Sequence, residues 1–231
     1  MCEEDAGTTV LWRVFADAAT CLAILQDTVD EKIFKINSTI TGELRVTVRA
    51  SVLKRRRRTM LTGFVSRQDE MLEIAWPVSS GVQREHLLSL EGKLPDGVMN
   101  YNGLVEAASC AGFTVGSRAA LRNVANSLAR HEVVTAAGQG RLADSKVVVA
   151  LTARRLLVVE GTALAPALIN LSLDKIDRLL LGKKKTGELI RLGSEQESML
   201  VSHLGHGEGY GVVSTFRQLK KDMERPPSGH S

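Results

Sequence analysis

Aromatic side chains make up only 4% of the 231 residues, so any core must be built mainly from aliphatic ones. Cysteine is equally sparse. Cys2, Cys21 and Cys110 stand far apart, which excludes both a disulfide framework and a metal knuckle and suits a reducing cytoplasm. No apolar run approaches the roughly 20 residues that a helix needs to cross a bilayer. The opening residues, Met1-Cys2-Glu3-Glu4-Asp5, are acidic and lack the basic and apolar regions of a signal peptide. Charge of one sign is missing too, since the net value is only +4. Residues 1–134 hold 16 basic and 16 acidic side chains and residues 135–231 hold 14 and 10, so the excess lies in the C-terminal part. That excess does not demand nucleic acid or an anionic membrane, but it permits either.

Catalytic signatures are absent as well. Paired carboxylates, a nucleophile elbow and a Cys-His pair cannot be assembled from the spacing. His203 and His206 have only Glu208 beside them, whereas zinc takes at least three protein ligands. The glycine-rich stretch 205–211 matches neither a dinucleotide fingerprint nor a P-loop, and it reads as a connector into the last helix. The expectation is therefore a chain with no catalytic residue, no cofactor and no metal.

What is present is pattern. Leu11, Val14, Phe15, Ala18, Cys21, Leu22 and Leu25 recur at helical spacing, predicting one long amphipathic helix capped by Thr8 or Thr9. Strands follow over 33–37, 44–50, 60–66 and 71–77, then a short helix over 85–91 and an extended segment over 98–108. Ser117 can cap a further helix carrying Leu121, Val124, Ala125 and Leu128. This half reads as an α+β sandwich with an antiparallel sheet, over residues 1–131.

The second half, residues 132–231, is dominated by strands. Residues 146–161 read KVVVALTARRLLVVEG, two β-branched runs around the turn Thr152-Ala153-Arg154-Arg155. The Thr152 hydroxyl can bond its own backbone and close that turn. An extended segment over 132–138, a loop over 138–145 and strands over 167–173, 176–181, 187–192 and 198–204 bring the total to about seven. Val212, Phe216, Leu219 and Met223 then mark a final amphipathic helix, followed by a disordered tail over 225–231. Its apolar stripe is suited to closing the open end of the sheet.

Two resemblances follow from these residues. The segments ALTARRLLVVEG, LSLDKIDRLLLG and GELIRLG resemble the bacterial pleckstrin-homology-like domains, related to the GRAM type. The matching residues include Leu151, Thr152, Arg155, Leu156, Ile176, Gly187 and Ile190. This implies a seven-stranded barrel capped by a C-terminal helix with Phe216 in its core, and a binding role without chemistry. The first half, through its element order and LLSLEGKLPDG (87–97), resembles type III secretion chaperone-like proteins, which implies a protein-binding module. Together they imply a non-catalytic adaptor of bacterial or phage origin that docks a protein partner, by strand addition or beside the last helix.

A second expectation comes from charge. Lys54, Arg55, Arg56, Arg57 and Arg58 form the densest basic run, and Lys183, Lys184 and Lys185 can extend a basic face with Arg154 and Arg155. Such groups can hold nucleic acid or an anionic membrane surface, with affinity that falls as salt rises. The plainer reading of each run is a solvated turn, since the first lacks interleaved aromatics and sits between two strands.

Overall fold

The computed structural model describes residues 8–15, 17–28, 34–38, 43–52, 55–68, 71–95, 97–112, 118–160, 169–193 and 198–224. They fall into two compact units, 1–100 and 101–231.

The first unit begins with strand β1 (Thr8–Val14), not with the long helix that the spacing predicts. Val10, Trp12 and Val14 are buried on alternate positions, and β-branched and aromatic residues suit that pleat better than a helix. Asp17, rather than Thr8 or Thr9, starts helix α1 (Ala18–Thr28) by accepting the Thr20 amide at 2.8 Å. Four strands follow: β2 (Phe34–Ser38), β3 (Glu43–Val52), β4 (Arg55–Gln68) and β5 (Met71–Val78). With β1 they form one antiparallel sheet in the order β1-β5-β4-β3-β2. Helix α2 (Gly81–Glu91) is capped by Ser80, whose hydroxyl accepts the Gln83 amide while the Gln83 side chain accepts the Ser79 amide. It packs against β4 and β5 and buries Leu87 and Leu90.

Trp12 and Trp76 meet edge to face on the buried side of this sheet, ring centroids 5.1 Å apart. Gly63 on β4 makes room for them, because a Cβ there would lie 2.8 Å from Ile74 and 2.9 Å from the Trp76 ring. Gly63→Val is expected to destabilise this unit by about 1–3 kcal/mol through overpacking. Tryptophan fluorescence reads it directly, since the chain has only these two tryptophans. An unchanged urea midpoint would refute the tight packing.

The second compact unit runs from Tyr101. Residues 98–108 are not one extended segment: after Met99 bridges to Val14, helix α3 (Leu104–Cys110) begins behind Gly103. Gly103 sits at φ 77°, and a Cβ there would strike Val133 at 2.6 Å, so this reversal needs glycine. Helix α4 (Arg118–Ser127) follows, and Ser117 lies outside the described residues. Both helices pack on strands of the second sheet.

That sheet holds β6 (Val134–Leu142), β7 (Ser145–Thr152), β8 (Arg155–Glu160), β9 (Ile169–Ser172), β10 (Arg178–Lys184), β11 (Gly187–Gly193) and β12 (Ser198–Leu204). It is antiparallel throughout, in the order β10-β11-β12-β6-β7-β8-β9. The barrel expected from the sequence does not close, because β9 and β10 do not pair. After only four residues β9 gives way to a 3₁₀ turn (Leu173–Lys175) that drives Leu173 and Ile176 into the core. The polar loop expected over 138–145 is largely strand. Gly138 and Gly140 stand where β12 passes closely, a Cβ at Gly138 falling 2.7 Å from Leu204 and one at Gly140 2.6 Å from the Ser202 carbonyl. Helix α5 (Glu208–Glu224) starts inside the glycine-rich stretch read as a connector and ends the described chain.

Strand β7 separates two apolar layers. Val147, Val149 and Leu151 join Leu156, Val158, Val212 and Phe216 on one side. Val148 and Ala150 join Leu157, Val159, Leu104 and Val124 on the other. A strand covered on both faces has no solvent side, which is why its sequence is continuously apolar rather than alternating.

Candidate functional site

The most developed polar cluster lies at the turn between β7 and β8. The Thr152 hydroxyl accepts the amides of Arg154 and Arg155, both at 3.1 Å, closing the turn as its sequence suggests. The same hydroxyl donates to Glu132 at 2.7 Å. Arg155 grips that carboxylate from two sides, Nε 2.9 Å from Oε1 and Nη2 2.6 Å from Oε2. The guanidinium also donates to the Ser127 carbonyl at 2.9 Å and to the Asn170 side chain at 3.2 Å. Burial works to raise the Glu132 pKa, but bonds from Arg155, Thr152 and the Ala129 amide outweigh it and hold the carboxyl below its ordinary range. The Glu132 hydrogen bonds raise the pKa of Arg155, so the pair is ionised together.

This geometry gives the Thr-x-x-Arg pattern a mechanical meaning. It ties the end of α4 (Ser127), the loop at Glu132, the β7–β8 turn and β9 (Asn170) into one clamp. Arg155, read from sequence as part of a basic face, is committed to this clamp, while Arg154 beside it is exposed. A guanidinium that stays protonated moves no proton, so the cluster holds elements together. Glu132 was the residue that sequence reading missed, because its partner lies 23 positions away.

A pair of buried carboxylates, Glu188 of β11 and Glu208 at the start of α5, makes a second polar cluster. Glu208 accepts the Gln139 amide at 2.8 Å, and Glu188 accepts the Tyr210 amide at 2.9 Å. Gly205 and Gly209 make space for them, since a Cβ at Gly205 would lie 2.4 Å from a Glu208 oxygen and one at Gly209 3.0 Å from a Glu188 oxygen. Negative charge at the first turn of a helix is favourable, so these groups seat α5 on the sheet. His203 contacts Ser202 at 2.9 Å, and no group of three metal-ligating side chains gathers among the described residues. Cys21 is buried, which pushes its thiol up to about 11 with help from Asp17, and it is unreactive.

The other basic runs of the sequence lie one on each unit. On the second unit, Lys183, Lys184 and Lys185 are exposed at the β10–β11 turn. Nearby, Leu180, Arg191 and Leu200 sit in register across β10, β11 and β12, and both leucines are exposed, at 48% and 38%. On the first unit, Arg55, Arg56, Arg57 and Arg58 belong to β4 rather than to a turn, opposite Val52, Ser51, Ala50 and Arg49 of β3. A run of arginine is compatible with a strand because successive positions alternate between faces. Lys54 lies outside the described residues.

Among the described residues no helix is long and apolar enough to cross a membrane. Comparison of the chain with protein-family models and with curated proteins finds no match.

Proposed function

We propose that the chain is a non-catalytic adaptor whose second unit, a pleckstrin-homology-like module, binds an extended segment of a protein partner along β10. The observation that carries this reading is the exposed row Leu180, Arg191 and Leu200 beside an edge of β10 with no strand partner among the described residues. An edge strand presents unpaired amides and carbonyls that template a further strand. Leu180 offers an apolar contact, while Arg178, Arg191 and Lys183 to Lys185 favour acidic residues in the ligand. The non-catalytic part rests on the buried polar clusters, whose members hold backbone and one another. A cytoplasmic location is part of the same proposal, in keeping with the unpaired thiols of Cys21 and Cys110. The first unit would act as the chaperone-like, protein-binding half.

Selection from a random peptide display library against the full chain tests this. Enriched peptides are expected to alternate apolar and acidic positions, and Leu180→Asp is expected to weaken the best of them at least about tenfold, as loss of an interface anchor does. Failure to enrich any sequence, or enrichment indifferent to Leu180→Asp, would overturn the proposal.

A further inference from the structure

The two apolar layers of the second unit differ in extent. The layer that holds Val212 and Phe216 of α5 draws side chains from all seven strands. The opposite layer, which holds Leu104 of α3 and Val124 of α4, draws only on β6, β7 and β8 among the described residues. Leu179, Ile190 and Val201 join the first layer, so alternation puts Leu180, Arg191 and Leu200 on the other side of β10, β11 and β12. No described aspartate or glutamate holds a position on that side of these three strands. Arg178 stands diagonal to Arg191, while Arg141 and Lys146 face each other across β6 and β7 on the same side. All four cations are exposed, and none is in an ion pair among the described residues. Like charges directly opposite each other cost stability in a sheet, so Arg141 and Lys146 gain from an anionic neighbour.

Strand addition at the β10 edge leaves part of this surface unexplained. An added strand would touch Leu180, but Leu200 lies three strand spacings away, about 14 Å. Between them Leu189, half-buried, reaches over Gly182 of β10, where an added Cβ would meet it at 2.6 Å. An extended chain laid on the middle of a sheet finds no edge to pair with and would bury its own amides unpaired. A helix satisfies its amides internally, and at about 10 Å across it spans the two strand spacings from Leu180 to Leu200. Helices α3, α4 and α5 already cover strands of this sheet elsewhere. Nucleic acid would set phosphates against the leucines, and no aromatic on this side of β10, β11 or β12 is there to stack a base. Leu200, 38% exposed and two strands in from the edge, projects too little to enter a bilayer.

We infer that the side of β10, β11 and β12 opposite the α5 layer docks an amphipathic helix of the protein partner. Its apolar stripe rests on Leu180, Leu189 and Leu200, and its acidic flanks meet Arg141, Lys146, Arg178 and Arg191. This rests on the reading of the chain as an adaptor but not on strand addition, since Leu200, Arg141 and Lys146 lie out of reach of the β10 edge.

Selection from a displayed helical scaffold with one randomised helix face, against the full chain, tests it, with oligo(U) and anionic vesicles as the other arms. Enriched helices are expected to carry an apolar stripe flanked by aspartate and glutamate. Leu200→Asp should weaken the best of them at least about tenfold. Arg141→Ser with Lys146→Ser should weaken it about three- to tenfold and make it less sensitive to salt. Circular dichroism of both variants should match the parent. Extended peptides selected for the β10 edge should bind the Leu200→Asp chain as they bind the parent, so the helix site and the edge fail separately. No enriched helix, enrichment of basic helices, indifference to Leu200→Asp, or binding of oligo(U) or vesicles alone would overturn the inference.

Discussion

Glu132→Ala is expected to cost the second unit about 3–5 kcal/mol, the loss that follows when one member of a buried ion pair is removed and the other stays behind. The Glu132 side chain is 4% exposed and Arg155 24%, so the stranded guanidinium keeps little water in place of its partner. Thr152 also loses the acceptor of its hydroxyl, and the Ala129 amide loses its carboxylate. Glu132→Gln should cost less, because an amide oxygen still accepts from Thr152 and Arg155. The two variants also separate the effect of charge. The folded-state pKa of Glu132 lies below its ordinary 4.5, so the carboxylate adds stability that is fully present above pH 4.5. That contribution is lost as pH falls through the lower folded value. The stability gap between parent and Glu132→Gln should therefore narrow as acid is added below pH 4.5. Urea unfolding followed by circular dichroism, with hydrogen exchange at β7 and β8 amides, measures both effects. A gap that stays constant down to pH 3 would show that the charge contributes nothing, as would a loss under about 1 kcal/mol for Glu132→Ala.

The legibility of this fold in its sequence varied with how local the cause was. The β7–β8 hairpin and its Thr152 turn were readable because β-branched runs and a hydroxyl-closed turn act within a few residues. Phe216 was readable as a core residue because a helix shows its buried stripe at fixed spacing, and it is 5% exposed among the core side chains. The opening segment is ambiguous by pattern, because Leu11, Val14 and Phe15 fit a helical stripe as well as Val10, Trp12 and Val14 fit a pleat. Only pairing with β5, some sixty residues on, decides between them. The glycines at 138, 140, 205 and 209 looked like loop punctuation for a similar reason. What they make room for arrives from distant strands and carboxylates. Arg55 to Arg58 were visible as a charge run, but their place inside β4 rather than in a turn required the register with β3.

One clue in the sequence was open to reading and points to the second large effect. Val147, Val148, Val149, Ala150 and Leu151 do not alternate with polar residues, so neither face of β7 meets water. The same holds on β8 for Leu156 and Leu157, adjacent residues that point to opposite layers. Leu156→Ala and Leu157→Ala are therefore each expected to cost about 2–5 kcal/mol, the range for deleting a buried leucine side chain. In a half-solvated sheet one of two neighbours would be nearly silent, within about 0.5 kcal/mol. Leu156 is 2% exposed in the layer that holds Val212 and Phe216 of α5, and Leu157 is fully buried in the layer that holds Leu104 of α3 and Val124 of α4, so the losses should be similar in size. They should differ in place. Hydrogen exchange is expected to quicken in α5 for the first variant and in α4 for the second, because each cavity opens under a different helix. A Leu157→Ala protein as stable as its parent would show that α3 and α4 do not seal this face of β8.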